Sequence, residues 1–285
     1  MKYLYYPGCS LKSSGKLYEI SLLAVLKRLG VEVEELENWN CCGATNYMSI
    51  NEGYAVEITA RNLAIAERMG EMEMIVPCAA CFMGFLKTQK YMESDPVTRD
   101  RVNDLLNKAG LSYTGKVMIR HPLDVLVNHL GTDALTNTAE TPLKGIKVAS
   151  YYGCQLVRPY ATFDDQWNPH TMDDIARAMG ATPVDWPLKS RCCSGSMTST
   201  MTEIGLRMNY VILKEAKSRG ADVIITACPL CQFNLECFQG KISRKLKEDV
   251  RIPVMYFTQL MGLAMGIPAK QLGLKQMLSP SLVLT

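Results

Sequence analysis

Cysteine placement constrains this chain more than any other feature. Eleven of its 285 residues are cysteine, and ten of them fall into two matched arrays. The first runs Cys9, a gap of 31 residues, the adjacent pair Cys41-Cys42, a gap of 35, then Cys78-x-x-Cys81. The second runs Cys154, a gap of 37, Cys192-Cys193, a gap of 34, then Cys228-x-x-Cys231. Counterparts are offset by 145 residues at the single cysteine, 151 at the pair and 150 at the Cys-x-x-Cys. The flanks repeat as well: Tyr6-Pro7-Gly8-Cys9-Ser10-Leu11 answers Tyr151-Tyr152-Gly153-Cys154-Gln155-Leu156, and Gly70 and Gly220 each stand eight residues before a Cys-x-x-Cys. The chain therefore reads as a duplicated unit, which agrees with a length of about two domains. The join is placed in the Thr-, Gly-, Asn- and Pro-rich stretch Gly131 to Gly145. Expected domains are 1–140 and 146–268, with 269–285 as a C-terminal tail poised to contact a partner.

Composition narrows the setting of those thiols. With 48% hydrophobic and 21% charged residues, the chain has the make-up of a globular protein and excludes disorder, collagen and coiled coil. A net charge of +3 is too small to argue for nucleic acid. The apolar start, Met1 to Pro7, is too short for a signal-peptide core. No stretch approaches the ~18 uninterrupted apolar residues of a membrane span; the nearest, Pro253 to Pro268, contains Thr258 and Gln259. The expectation is a cytoplasmic protein with reduced thiols, where grouped cysteines serve as metal ligands or redox groups rather than as staples.

Hydrophobic periodicity places the cysteines on a fold. Strands are expected at Met1–Tyr6, Val31–Leu36, Met74–Val76 and Val117–Ile119, and again at Val148–Tyr152, Thr182–Asp185, Val223–Thr226 and Val254–Phe257. Helices are expected over Leu17–Leu29, Glu52–Met69, the residues after Cys78, Asp173–Met179 and Met201–Arg219, several closed by a glycine. Alternating strand and helix predicts an α/β chain of two duplicated domains, each a small parallel sheet flanked by helices, related by a pseudo-twofold. Every cysteine group then follows a strand. The carboxyl ends of parallel strands form the ligand crevice of such sheets, so three groups can converge on one edge.

Adjacent cysteines diverge and do not readily chelate one tetrahedral ion, but they can reach two metals of a larger cluster. Five thiolates exceed the four of an ordinary four-iron cube. They point to an unusual iron–sulfur cluster, with a bridging thiolate as one way to use the fifth. Gly8, Gly43, Gly153 and Gly195 stand beside the ligands, where backbone N–H groups can approach cluster sulfur. The ferredoxin-type cysteine run is absent, so electrons must come from a partner. Paired structural zinc sites and a simple dithiol redox protein are the competing chemistries.

The array Cys9, Cys41-Cys42-Gly43, Cys78-x-x-Cys81, repeated through Cys154, Cys192-Cys193 and Cys228-x-x-Cys231, resembles the cysteine-rich CCG domain pair of the heterodisulfide reductase B-subunit family. The likeness runs from the N-terminus to about residue 260. It implies two noncubane [4Fe-4S] clusters, one on each set of five cysteines, facing a cavity where a disulfide is cleaved to two thiols. It also implies a ferredoxin-like partner with two cubane clusters, of the C type, and a flavin-containing partner, of the A type. One departure stands out: the second pair is followed by Ser194-Gly195 rather than directly by glycine. Relatives that run thiol chemistry in reverse on carrier-bound sulfur, and electron-transfer subunits of flavin-linked dehydrogenases, use the same domains.

Two matched clusters suit a two-electron cleavage carried out by one-electron centres. His121, His129 and His170 are the candidate proton donors, or else ordinary structural histidines. The family's disulfide substrate is anionic, and Lys12, Lys16, Arg158, Lys189 and Arg191 lie near the cysteine loops where they could attract it, if they are not simply solvated surface charge. Cys237 lies outside both arrays and reads as a small buried hydrophobe. Met255, Met261 and Met265 read as core. The tail leucines, Leu272, Leu274, Leu278, Leu282 and Leu284, read as a surface for a partner protein.

Overall fold

Eight short strands make two four-stranded sheets with one topology. In the computed structural model, which describes residues 1–44, 46–70, 73–280 and 282, β1 (Lys2–Tyr5), β2 (Glu32–Glu35), β3 (Glu73–Ile75) and β4 (Met118–Arg120) form the first. The second contains β5 (Lys147–Tyr151), β6 (Thr182–Pro183), β7 (Val223–Thr226) and β8 (Val254–Tyr256). The spatial orders are β2-β1-β3-β4 and β6-β5-β7-β8, and every pairing is parallel. The α/β class and the duplicated sheets read from the sequence are the observed ones.

Burial explains the strand sequences. Along β1, Tyr3, Leu4 and Tyr5 are buried, and all four residues of β7 are buried, so central strands are apolar without alternation. β2 is an edge, and its Glu-Val-Glu-Glu stays largely exposed. The strand order reverses between β1 and β3, and between β5 and β7. At such a switch the connections leave in opposite directions and open a crevice at the carboxyl edge. Cys9 and Cys78 follow one pair of strands, and Cys154 and Cys228 follow the other.

The helices obey their end signals. α1 spans Lys16–Arg28, and α2 spans Glu52–Met69. Asn51 caps α2 by accepting the Tyr54 N–H at 3.3 Å, and Gly70 ends it in the left-handed conformation. α3 (Ala79–Ser94) begins directly after Cys78. A further helix, α4 (Pro96–Lys108), goes beyond those expected from the hydrophobic pattern. Only Val102 and Leu106 are buried along it, so its apolar stripe is thin, although Asp95 and Pro96 are an N-cap and a first-turn proline. In the second half α5 (Thr171–Ala178), α6 (Thr202–Ser218), α7 (Pro229–Cys237) and α8 (Gln239–Leu246) precede α9 (Phe257–Ala264).

The compact units do not follow the repeat boundary. One comprises Met1–Lys12 and Gly30–Pro122; the other comprises Ser13–Leu29 and Leu123–Thr285. Helix α1, encoded in the first repeat, thus belongs to the second unit. Tyr18 stacks on Tyr256 with ring centroids 4.6 Å apart, and the Ser21 and Thr258 hydroxyls bond at 2.6 Å. The amphipathic pattern of such a helix does not by itself specify which sheet it covers.

The tail is also more integrated than its sequence suggests. Leu272 is fully buried, and its carbonyl accepts the Gln259 amide at 3.0 Å. A β-carbon added to Gly262 would lie 2.3 Å from the Leu272 side chain, so that glycine makes room for it. Glu236, itself buried, accepts the N–H groups of Leu278 and Ser279. Leu278 remains 73% exposed, Leu274 and Leu282 are half-buried, and Leu284 lies outside the described residues. Met255, Met261 and Met265 are core. Leu272→Ala should therefore destabilise the second unit by about 2–5 kcal/mol, read from the urea midpoint. A change within about 0.5 kcal/mol would put the tail outside the core.

Candidate metal centres

Each half draws its cysteines to the carboxyl edge of its sheet through the same backbone contacts. The Tyr6 hydroxyl donates to the Asn40 carbonyl at 2.7 Å, and the Tyr151 hydroxyl donates to the Arg191 carbonyl at 2.6 Å. Asn40 and Arg191 each immediately precede a Cys-Cys pair, so a tyrosine at the carboxyl end of the first strand, Tyr151 as the last residue of β5 and Tyr6 one residue past β1, pins the pair loop. The carbonyl of the second cysteine is held from the long helix: Thr59 on α2 donates to Cys42 at 2.5 Å, and Asn209 on α6 donates to Cys193 at 3.2 Å. Cys78 and Cys228 are the N-caps of α3 and α7, which puts Cys81 and Cys231 in the first turns.

These contacts bring the sulfurs together. The Sγ atoms of Cys42 and Cys81 lie 2.9 Å apart, and those of Cys193 and Cys231 lie 3.5 Å apart. All eleven cysteines lie among the described residues, and none is in a disulfide. Within each set, Cys9 and Cys41, or Cys154 and Cys192, are more exposed than the buried remainder. Burial raises the Tyr6 phenol far above its ordinary value, and Cys81, Cys42, Cys41 and Cys9 add to the rise. Around Tyr151 the same rise comes from burial and then Cys231, Cys193, Cys192 and Cys154. The two tyrosines thus sense corresponding cysteines in corresponding order.

The thiols cannot all ionise. Cys42 is held down to about 5 by hydrogen bonds from Cys41 and Cys81, with the Ala44 N–H assisting. Hydrogen bonds from Cys81, then from the backbone N–H groups of Cys81 and Ala80 at the start of α3, lower Cys78. Cys192 is lowered to about 6 by Cys154, the Ser194 N–H and the Arg158 charge. Cys193 is lowered to about 7 by Cys231, the Asn234 amide and the Gly195 N–H. Cys81 and Cys231 are raised because they donate those bonds. Each set is a group of soft sulfur donors with backbone N–H groups aimed at it, which is the environment of a thiolate-held metal.

Close backbone approach fits the same use. A β-carbon on Gly8 would lie 3.1 Å from the Cys81 sulfur, and one on Gly153 would lie 2.7 Å from the Cys231 sulfur. Both glycines have positive φ, +66° and +68°. Ser194 stands where the first half has Gly43 and adopts the same left-handed backbone, φ +73° against +71°. The departure at Ser194 therefore keeps the loop shape, at a conformational cost of about 1 kcal/mol. Its hydroxyl bonds that of Thr198. Among the described residues, no three Cys, His, Asp or Glu side chains surround a point as a cage for a single ion; the nearest sulfurs meet in pairs.

The model of the cysteine-rich CCG domain matches residues 3–85 and 148–236. The chain belongs to the CCG cysteine-rich domain family. It is 32% identical to the 8-methylmenaquinol:fumarate reductase membrane anchor subunit of Wolinella succinogenes, over 96% of this chain and 95% of that one. It is 30% identical to the B subunit of the ferredoxin:CoB-CoM heterodisulfide reductase of Methanosarcina mazei, over 94% and 91%. A hypothetical protein from Helicobacter pylori shares the fold, with a TM-score of 0.77 at 16% identity; all of this chain is covered, but it spans about half (53%) of that one. No described helix of the CCG chain is long and apolar enough to cross a membrane.

The remaining candidates are placed unevenly in the CCG fold. Lys12 is exposed and paired with Glu35 at 2.8 Å; Lys16 and Arg191 are exposed. Arg158 donates to the Ser190 carbonyl and lies over the Trp167 ring. Lys189 does not face solvent. It is buried, ion-paired with Asp173 at 2.5 Å and bonded to the Pro169 carbonyl. Its own carbonyl accepts the N–H groups of Tyr152 and Gly153, so it braces the Cys154 loop instead of greeting an anion. Cys237 is half-buried, and burial raises its thiol. His129 is half-buried, and His170 is exposed and bonded to Asp174 at 2.7 Å.

His121 is fully buried and donates from Nε2 to the Pro77 carbonyl, just before Cys78. Burial lowers it to about 3, against ~6.5 in an unfolded chain. The imidazole is therefore neutral and holds the loop; it is not poised as an acid. The unfolded chain takes up this proton below about pH 6.5, and the folded one does not until near pH 3. Stability from His121 is thus complete above about pH 6.5 and is lost as pH falls, at up to about 1.4 kcal/mol per pH unit. His121→Gln keeps a donor for Pro77 and removes the titration. The stability gap between wild type and variant should narrow from about pH 6.5 to about pH 4.5, and parallel curves in pH-dependent urea titrations would refute a buried neutral imidazole.

Proposed function

We propose that this chain is an iron–sulfur subunit of the heterodisulfide reductase B type. Each five-cysteine set holds one noncubane [4Fe-4S] cluster: Cys9, Cys41, Cys42, Cys78 and Cys81 in one, Cys154, Cys192, Cys193, Cys228 and Cys231 in the other. The observation that carries this reading is the shared construction of the two sets, in which corresponding tyrosines, glycines and helix residues hold corresponding cysteines. The bound clusters supply electrons one at a time. The reaction is R–S–S–R′ plus two electrons and two protons to RSH and R′SH, breaking the S–S bond and making two S–H bonds. Electrons come from a ferredoxin-like partner of the C type, fed by a flavin-containing partner of the A type.

The protein's own side chains do the positioning. Tyr6 and Tyr151 fix the pair loops, His121 and Lys189 brace the Cys78 and Cys154 loops, and backbone N–H groups stabilise thiolate charge. Lys12 and Arg191, which are exposed, and the half-buried Arg158 provide positive charge for an anionic disulfide in this reading. A specific observation favours one other reading: the 32% identity to a protein named for 8-methylmenaquinol:fumarate reductase. In that case the same two centres pass electrons to or from a flavin-linked dehydrogenase, and no disulfide is cleaved.

Anaerobic preparation should yield about eight irons and eight sulfides per chain; two zincs and no iron would overturn the iron–sulfur reading. Reduced viologen with a disulfide, assayed beside menaquinol with fumarate, separates the two reactions in the assembled complex. Cys193→Ser should abolish disulfide turnover while the fold survives. Gly153→Ala should cost the second set its metal and roughly halve the iron, because the new methyl displaces Cys231. Gly240→Ala, where the added carbon meets nothing within 4 Å, is the control.

A further inference from the structure

The two sets share a backbone plan but not the side chains facing the sulfurs. The buried second cysteine of each pair meets a Cys-x-x-Cys thiol, Cys42 with Cys81 at 2.9 Å and Cys193 with Cys231 at 3.5 Å. Each also receives a backbone N–H two residues on, from Ala44 or from Gly195. Cys42 is also bonded by its neighbour Cys41, so it is among donors other than cysteine that the second set has one more. Asn234, buried on α7, aims its amide Nδ2 at the Cys193 sulfur, 3.5 Å away. The same Nδ2 reaches the carbonyls of Gly195 at 2.9 Å and Cys193 at 3.2 Å, so those contacts fix the amide's orientation. The residue answering Asn234, 150 positions earlier, is Gly84. It has no side chain to donate, and a β-carbon there would already sit 3.4 Å from Ala44.

Each half also holds a guanidinium just ahead of its pair. Arg158 bonds the Ser190 carbonyl, two residues before Cys192, and Arg61 bonds the Asn38 carbonyl and the Asn40 Oδ1, next to Cys41. The Asn234 amide is thus the donor that the second set has and the first lacks.

We propose that Asn234 makes the second cysteine set the more easily reduced of the two, so that the first electron entering the chain settles there. The inference rests on the iron–sulfur reading above. Each centre takes one electron from an external reductant, with no bond made or broken. The added negative charge spreads onto the sulfurs, where the Asn234 N–H donor stabilises it; reduction potentials of thiolate-held clusters respond to such hydrogen bonds. The pair is therefore a graded one, with the second set as the resting place for the first electron and the first set for the second.

The test is a potentiometric titration of the iron-loaded protein, poised with dithionite through mediators and read by electron paramagnetic resonance. Wild type should show two one-electron waves. Asn234→Gly, which gives the second set the side chain of the first, should lower the upper wave by about a tenfold change in its reduction equilibrium, ~59 mV for one electron, and leave the lower wave in place. Arg158→Gln, at a half-exposed position beside Cys192, should move the same wave in the same direction, which assigns that wave to the second set and carries the test if Asn234→Gly fails to load iron. A single unresolved wave in wild type, an upper wave unmoved in the variants that load, or movement of the lower wave instead would overturn the proposal while leaving the iron–sulfur reading intact. A protein that takes up zinc and no iron overturns both.

Discussion

Crowded sulfur is the constraint on which this fold depends. Near-contact between Cys42 and Cys81, or between Cys193 and Cys231, requires two loops and a helix start to meet on one sheet edge. A methyl group at Gly153 would strike the Cys231 sulfur at 2.7 Å, and one at Gly8 would press on Cys81 at 3.1 Å. A parallel sheet with a reversal of strand order supplies that edge, since the loops after its two central strands leave in opposite directions. A tyrosine at the carboxyl end of the first strand, Tyr6 or Tyr151, closes the arrangement by holding the carbonyl before each Cys-Cys pair. Thiols this close repel as anions, so they share protons unless a metal takes their place.

Much of this is legible in the sequence because the relevant signals are local. Buried central strands show as apolar runs, helices such as Glu52–Met69 end at a glycine, and the cysteine spacing survives duplication. What escapes depends on partners distant in sequence. Lys189 looks like a free cation because nothing nearby marks Asp173, sixteen residues earlier on α5, as its buried partner. Helix α1 has the same amphipathic pattern whichever sheet it covers, and only Tyr256 and Thr258 show where it rests. Leu272 reads as tail because its complement, the bare face of Gly262, lies on another element. His121 passes for a candidate acid in sequence, whereas burial against Pro77 makes it a neutral strut.

Divergence between the halves is confined to what the backbone plan permits. Ser194 replaces a glycine in the left-handed region, where most residues are strained, and its hydroxyl finds Thr198 in compensation. Thr59 and Asn209 differ in chemistry yet hold the same carbonyl. Contacts made through main-chain atoms are therefore kept, while side-chain identity drifts wherever a donor of some kind survives.

Position 234 breaks that pattern in an informative way. The first half tolerates glycine there, at Gly84, with its Cys-Cys loop still held by Thr59. An asparagine is thus not required to build the loop, although in the second half it also ties down Gly195. Its approach to the Cys193 sulfur is a surplus over the common design. A buried amide that serves only as filler would be expected to bond carbonyls alone, since thiol sulfur is a weak acceptor. Sulfur becomes a strong partner when it carries thiolate charge, which is the state a metal enforces. The geometry at Asn234 therefore makes most physical sense for the charged form of Cys193, and it is this contact that underlies the proposed preference of the second set for additional negative charge.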